Sequence, residues 1–178
     1  CELMAPLMNI KNLDVEDLPS ELQYHCRYLE VVANCTVGSM NTTIVEAKIQ
    51  AAFEYLYILQ AILDPNTILI VKLYLTLFYY NGIIDVAMEI PGLEHSAYVW
   101  RHLEVLPAVF DETLLELKLC HEHGSIESPE VDRHKIEYAL LCARIMNTFF
   151  RKYYDPIMFK VMEDREEEDT DGRFVNMT

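Results

Sequence analysis

The chain has 178 residues, of which 52% are hydrophobic, enough to bury a sizeable core as one domain or one piece of an elongated array. Its 29 acidic against 14 basic residues give a formal charge of −15, which repels phosphate backbones and anionic lipid surfaces and argues against a nucleic-acid partner. Five glycines leave few hairpin signals, and five cysteines, mostly on apolar helical faces, read as free thiols of a reducing compartment rather than a disulfide framework.

In chain order, residues 1–13 form a short apolar segment and 14–19 a linker. Ser20, with Gln23 three residues later, fits a capping box and opens a helix to about Cys35. Leu22, Cys26, Leu29 and Val32 are its predicted buried stripe, and Gly38 lies just past its end. A second helix is predicted over 43–63. Glu46, Gln50 and Glu54 recur every four residues as its wet face, while Ile44, Ala47, Ala51, Phe53, Leu56, Leu59 and Leu63 point inward or sideways.

The run 66–80 is the most apolar in the chain, broken after Thr67 only by Lys72 and Thr76. It far exceeds the ~5–6 residues of an ordinary strand, so a helix is predicted. Asp64 is its expected cap, with Pro65 at the first position and Asn81-Gly82 as its end. A helix apolar nearly all round lies at the middle of a core or in a membrane. This one is shorter than the ~20 residues of a bilayer span and carries Lys72 at its centre. It is therefore predicted to be the buried centre of the fold, with other helices around it.

A short helix over 83–90 is expected next, ended by Pro91-Gly92. From 96 to 124 the pattern is helical, with Pro107 expected to kink or end it. Val99, Trp100 and Leu103 mark one face before Pro107, and Leu114, Leu115, Leu117 and Leu119 belong to the helix beyond it. Ser128-Pro129-Glu130 predicts the start of a long helix that reaches about Tyr154. Its buried side is read as Ile136, Leu140, Cys142, Ile145, Met146, Phe149, Phe150 and Tyr153, and its exposed side as Arg144, Asn147 and Arg151. Residues 163–171 hold seven acids and one arginine, a run that repels itself. The division is thus 1–162 helical and 163–178 an acidic flexible loop or tail. The fold class is all-α, with antiparallel helix pairs joined by short links.

No grouping argues for catalysis or a cofactor. Cys120 and His123 are spaced for a shared helix face, but His121 points elsewhere and no further metal ligand is evident. Glu167, Asp169, Asp171 and Gly172 resemble half of a calcium loop, yet Thr178 stands where a bidentate Glu is needed. His102 and Glu104 are two apart and cannot face each other on a helix. Lys72 reads as a lysine running its stem along apolar surface. Sequons at Asn34, Asn41 and Asn176 admit a secreted reading, against which Asn34 lies inside a predicted helix. The opening Cys1-Glu-Leu-Met reads as a piece of a longer protein.

Three stretches carry a family resemblance. The first is Tyr24-His25, Leu29 and Cys35-Thr36 before Gly38; the second runs from Ile58 through Val71-Lys72, Phe78 and Asp85 to Trp100. The third is 145–154 with Thr148-Phe149-Phe150. In this order they resemble the cytosolic helical region of inositol trisphosphate receptors, calcium channels related to ryanodine receptors, and either kind of member fits. The resemblance implies an armadillo- or HEAT-like solenoid segment on the cytoplasmic face of the endoplasmic reticulum membrane. It implies no catalysis, a relay from ligand binding to the pore, and contacts with other domains and subunits of a homotetramer or with regulatory proteins. Membrane association would come only through the rest of the channel. Where the family has a proline before the helix containing Ile58, this chain has Glu54, so the helix from Thr43 is expected to run on unbroken. Two other readings stand beside this one: a freestanding armadillo-like scaffold, and a small helical metal protein or enzyme using Cys120 and His123.

Overall fold

The computed structural model describes residues 12–37, 42–123 and 132–154, together with Met4, Leu7 and Ile10. Six α-helices are found among the described residues: α1 Ser20–Cys35, α2 Thr42–Ala52, α3 Tyr55–Leu63, α4 Leu69–Tyr79, α5 Ala97–His123 and α6 Arg133–Lys152. There is no strand among the described residues, and none of their helices is long and apolar enough to cross a membrane.

The apolar run does become the centre of the fold. No residue in 67–84 is exposed. α4 packs against α1 on one side and α6 on the other, while α3 lies on α4 and α5, and α5 on α6. Phe78, Ile83 and Ile84 are completely buried, each stabilising the fold by roughly 1.5–3 kcal/mol. The expected ends of this helix are wrong by several residues. Asp64 does not cap it; its Oδ1 accepts from the backbone and side-chain nitrogens of Asn66 at 2.8 and 3.0 Å, making a separate turn. The helix starts after Ile68. Nor does Gly82 stop it, because the backbone widens into a π-helical turn Tyr80–Ile84, closed by Asp85 N–H on Tyr80 O at 2.7 Å. A Cβ on Gly82 would stand 3.4 Å from Ile49 Cγ2, so the glycine lets α2 come close. The expected helix over 83–90 is absent; beyond Ile84 the chain is irregular up to a 3-10 turn, Leu93–His95.

Two further helices differ from the sequence reading, one broken where none was expected and one unbroken where a kink or end was expected. The helix expected over 43–63 is divided, with Glu54 extended at ψ 114° between α2 and α3. The break turns Phe53 inward, edge-on to Phe78 at 5.0 Å and tilted to Tyr28 at 6.3 Å. An unbroken helix would forfeit that aromatic packing. Conversely, α5 runs straight through Pro107. An interior proline costs ~3 kcal/mol. Here Val99, Leu103 and Leu106 are held in the core while the ring itself is exposed, so packing offsets the loss.

The capping box at Ser20 does not form. Pro19 precedes the helix, and its carbonyl accepts from Leu22 and Gln23 N–H, both at 2.9 Å. Gln23 instead donates its amide to Glu16 O and Leu18 O, both at 2.8 Å. The predicted linker is thereby a packed 3-10 turn, Val15–Asp17, with Leu13, Val15 and Leu18 buried. Ala33 takes the place expected of Val32 in the buried stripe. Cys26 and Cys142 are buried thiols, but Cys35 is exposed. Ile44 is exposed too, as are Leu140 and Phe150 on α6, whose buried stripe is Tyr138, Cys142, Ile145 and Phe149. The cap of α6 is Asp132, accepting from His134 N at 2.9 Å, while the predicted start at 128–130 lies outside the described residues. The acidic run 163–171 and the partial calcium loop lie outside them as well.

Candidate functional site

The stretch 85–90 leaves regular structure, so its backbone groups, and the carbonyls of Ile83 and Ile84 that end the π-helical turn before it, need other partners. Side chains from two separate helices supply them. From α2, the buried Glu46 carboxylate accepts from Ala87 and Met88 N–H, both at 3.0 Å, and Gln50 donates to Met88 O at 2.9 Å. From the end of α6, the Lys152 amine donates to Val86 O and, at 3.4 Å, to Ile84 O. Tyr153, just past the helix, donates its hydroxyl toward Ile83 O and Ile84 O, both at 3.3 Å. Burial pushes the Tyr153 phenol well above its ordinary pKa, so it remains a donor. Lys152 also stands 3.9 Å from Glu89. An anionic oxygen on two backbone N–H groups and a cation on two carbonyls are charge-assisted bonds, stronger than their neutral counterparts. The result is a clamp: α2 grips the segment from one side and α6 from the other.

This overturns the wet face read for α2. Glu46 and Gln50 sit one turn apart as a solvated pair would, but their partners lie 38–42 residues downstream. Nothing in the local pattern points to them. Glu54, the third member of that face, is exposed.

An aromatic cluster fastens the clamp to α5. Trp100 stands edge-on to Phe149 at 5.6 Å, to Phe150 at 6.2 Å and to Tyr154 at 6.3 Å, and its Nε1 donates to Glu94 O at 2.6 Å. Phe149 is fully buried and stacks on Tyr153 at 5.7 Å. Contact therefore runs unbroken from Trp100 through Phe149 and Tyr153 to the π-helical turn.

The other residues singled out from sequence do not gather into a site. His102 is fully buried with neither ring nitrogen hydrogen-bonded, edge-on to Tyr79 at 5.7 Å, whose hydroxyl is equally unpartnered. Desolvation lowers its pKa to about 4. Glu104 is exposed on the opposite side of α5. Cys120 and His123 end α5, with Cys120 half-buried and His121 exposed; no group of three or more metal-ligating side chains is found among the described residues.

A cleft of about 740 Å³ opens between the chain start, the α3–α4 turn, α5 and α6. Leu13, Ile62, Ile68 and Tyr138 form its buried lining. On one wall Lys135 bonds Glu112 and Glu116, both at 2.7 Å. At its edge Asn12, in the left-handed conformation at φ 51°, locks the chain start to α6. Its N–H donates to Asp132 Oδ2 at 3.2 Å, and its Oδ1 accepts from Arg133 N at 2.9 Å. His134 lies buried between Asp132 at 3.6 Å and Asp14 at 3.9 Å. Lys72 lines the cleft as well, half-buried.

Comparison with known proteins adds no name to this geometry: no family model, curated protein or solved structure matches the chain.

Proposed function

We propose that the chain is a stacked-helix segment that transmits conformational change within a larger calcium-release channel, and that it performs no chemistry of its own. The observation that carries the reading is the clamp on 85–90, which ties α2 to α6 through a non-helical segment both helices hold. Packed elements coupled in this way move as joined rigid pieces. The order α1, α4, α6 across the core suits an armadillo- or HEAT-like stack of three pairs, α1 with α2, α3 with α4 and α5 with α6. Leu114, Leu115, Leu117 and Leu119 on α5, Tyr24 and Val31 on α1, and Tyr57 on α3 are exposed. Such faces suit neighbouring domains or subunits. The family resemblance supplies the channel: a ligand-gated calcium-release channel of the endoplasmic reticulum membrane, acting as a homotetramer, with this segment on its cytoplasmic face.

The freestanding-scaffold reading calls for an exposed Asn or Trp ladder, and the single Trp100 is engaged in the core. The deciding experiment puts Phe149→Leu into the intact channel. Calcium-flux dose–response is expected to shift by roughly 5–150-fold in ligand, the scale of a 1–3 kcal/mol coupling, with ligand binding to the isolated core unchanged. Unchanged flux despite measured loosening of this segment would leave a passive scaffold in place of a relay.

A further inference from the structure

The outer face of α6 sets an open apolar groove beside unpaired positive charge. Phe110 of α5 and Ala143, Met146 and Phe150 of α6 line a shallow groove of about 620 Å³, bordered by Asn147 and Arg151. Phe150 is still 40% exposed, although it stands edge-on to Trp100. Arg144 and Arg151, two helical turns apart and so on one side of α6, are exposed and make no ion pair with any described residue. An exposed apolar patch rimmed by polar groups marks a docking surface.

The sequence after α6 supplies an occupant that matches both features. Residues 157–162 hold Ile157, Met158, Phe159, Val161 and Met162, with Lys160 as their one charge, and the run 163–171 with its seven acids follows at once. Pro156 bars α6 from continuing straight through Asp155. Arg144 precedes Tyr154 by ten residues, about 15 Å along a helix, while the stretch 155–162 can span up to about 26 Å. We propose that 157–162 turns back along the α5–α6 groove, with Phe159 seated between Phe110 and Phe150 and the acidic run held against Arg144 and Arg151. The groove takes up the apolar side chains, and the arginines offset the mutual repulsion of the acids. A segment tethered this closely has an effective concentration on the order of millimolar, which favours it over a free partner. No side chain of the clamp takes part, so the contact stands apart from the relay reading.

The test uses the full chain, with methionine methyls and phenylalanine rings labelled for NMR. Cross-peaks are expected between the Met146 methyl and the Phe159 ring, with relative intensities that do not change with protein concentration. Phe159→Ser should shift the Met146 methyl and leave Trp100 more open to acrylamide quenching. Phe159→Leu should keep Trp100 shielded and guards against a folding artefact. Arg144→Glu combined with Arg151→Glu should weaken the cross-peaks, and adding Glu166→Lys and Glu167→Lys to that chain should bring them back. The absence of any cross-peak from 157–162 to Met146 or Phe150 would overturn the proposal. Cross-peaks that grow with concentration would overturn it too, by giving the groove to a second copy of the chain. Cross-peaks indifferent to reversal of the arginines would overturn the pairing with the acidic run.

Discussion

The two halves of α5 use similar residues to different ends. Before Pro107, Val99, Leu103 and Leu106 are buried, and Trp100 is wedged among α6 aromatics. Beyond it, Leu114, Leu115, Leu117 and Leu119 are exposed, and the few polar ties run from Lys135 to Glu112 and Glu116. The first half lies beside the clamp, where buried backbone groups find side-chain partners. The second half holds more leucine, yet those four side chains are exposed. Apolar content therefore does not decide which part of this helix is core; the presence of neighbours that can satisfy both its side chains and its backbone does.

The largest effect should come from the clamped half. Phe149→Ala is expected to cost about 3–5 kcal/mol in denaturant unfolding, because Phe149 is fully buried against Trp100 and Tyr153. A cost below about 1 kcal/mol would mean that this end packs as loosely as the distal half.

His102 gives the same half a dependence on pH. Its folded pKa is about 4, below the ordinary histidine value of 6.5. The unfolded chain therefore takes up a proton first as pH falls, and stability declines from about pH 6.5 down to 4, by roughly 3 kcal/mol in all. Comparing unfolding at pH 7 and 4.5 in the parent and His102→Leu isolates the term. An equal acid loss in both proteins would show that His102 does not carry it.

Removing the acceptor of the clamp should cost less. Glu46→Ala leaves Ala87 and Met88 N–H unpaired, with an expected loss of about 1–3 kcal/mol and faster amide exchange at those two positions. Unchanged exchange there would mean that solvent, not Glu46, satisfies them. The smallest effect belongs to the distal half: Leu114→Gln and Leu115→Gln should change stability by less than about 0.5 kcal/mol. A loss of several times that size would place these leucines in a core and erase the contrast.

The sequence disclosed most of what depends on periodicity. The all-helical class, the central helix and the buried stripe through Cys142, Ile145 and Phe149 all follow from apolar spacing. What it hid depends on contacts distant in sequence. The chain breaks at Glu54 so that Phe53 can meet Phe78, and it passes Pro107 because the core holds the flanking residues. Glu46 looked solvated because helical spacing records only which residues share a face, and not that 85–90 lies over it. The clamp was illegible for that reason. Lys72 was visible as an interruption, but the cleft beside it requires four separate parts of the chain to meet.

The most direct test of the central claim, that 85–90 couples α2 to α6, is a double-mutant cycle between Glu46→Ala and Lys152→Met. The two side chains grip different atoms, Glu46 the N–H groups of Ala87 and Met88 within the segment and Lys152 the carbonyl of Val86 within it and that of Ile84 just before it. If the segment transmits between them, loosening one end lessens what the other has left to lose. The account predicts a coupling of about 0.5–3 kcal/mol, with the double variant less destabilised than the sum of the singles. Additivity within about 0.3 kcal/mol would contradict it, leaving two independent anchors and no link between the helices.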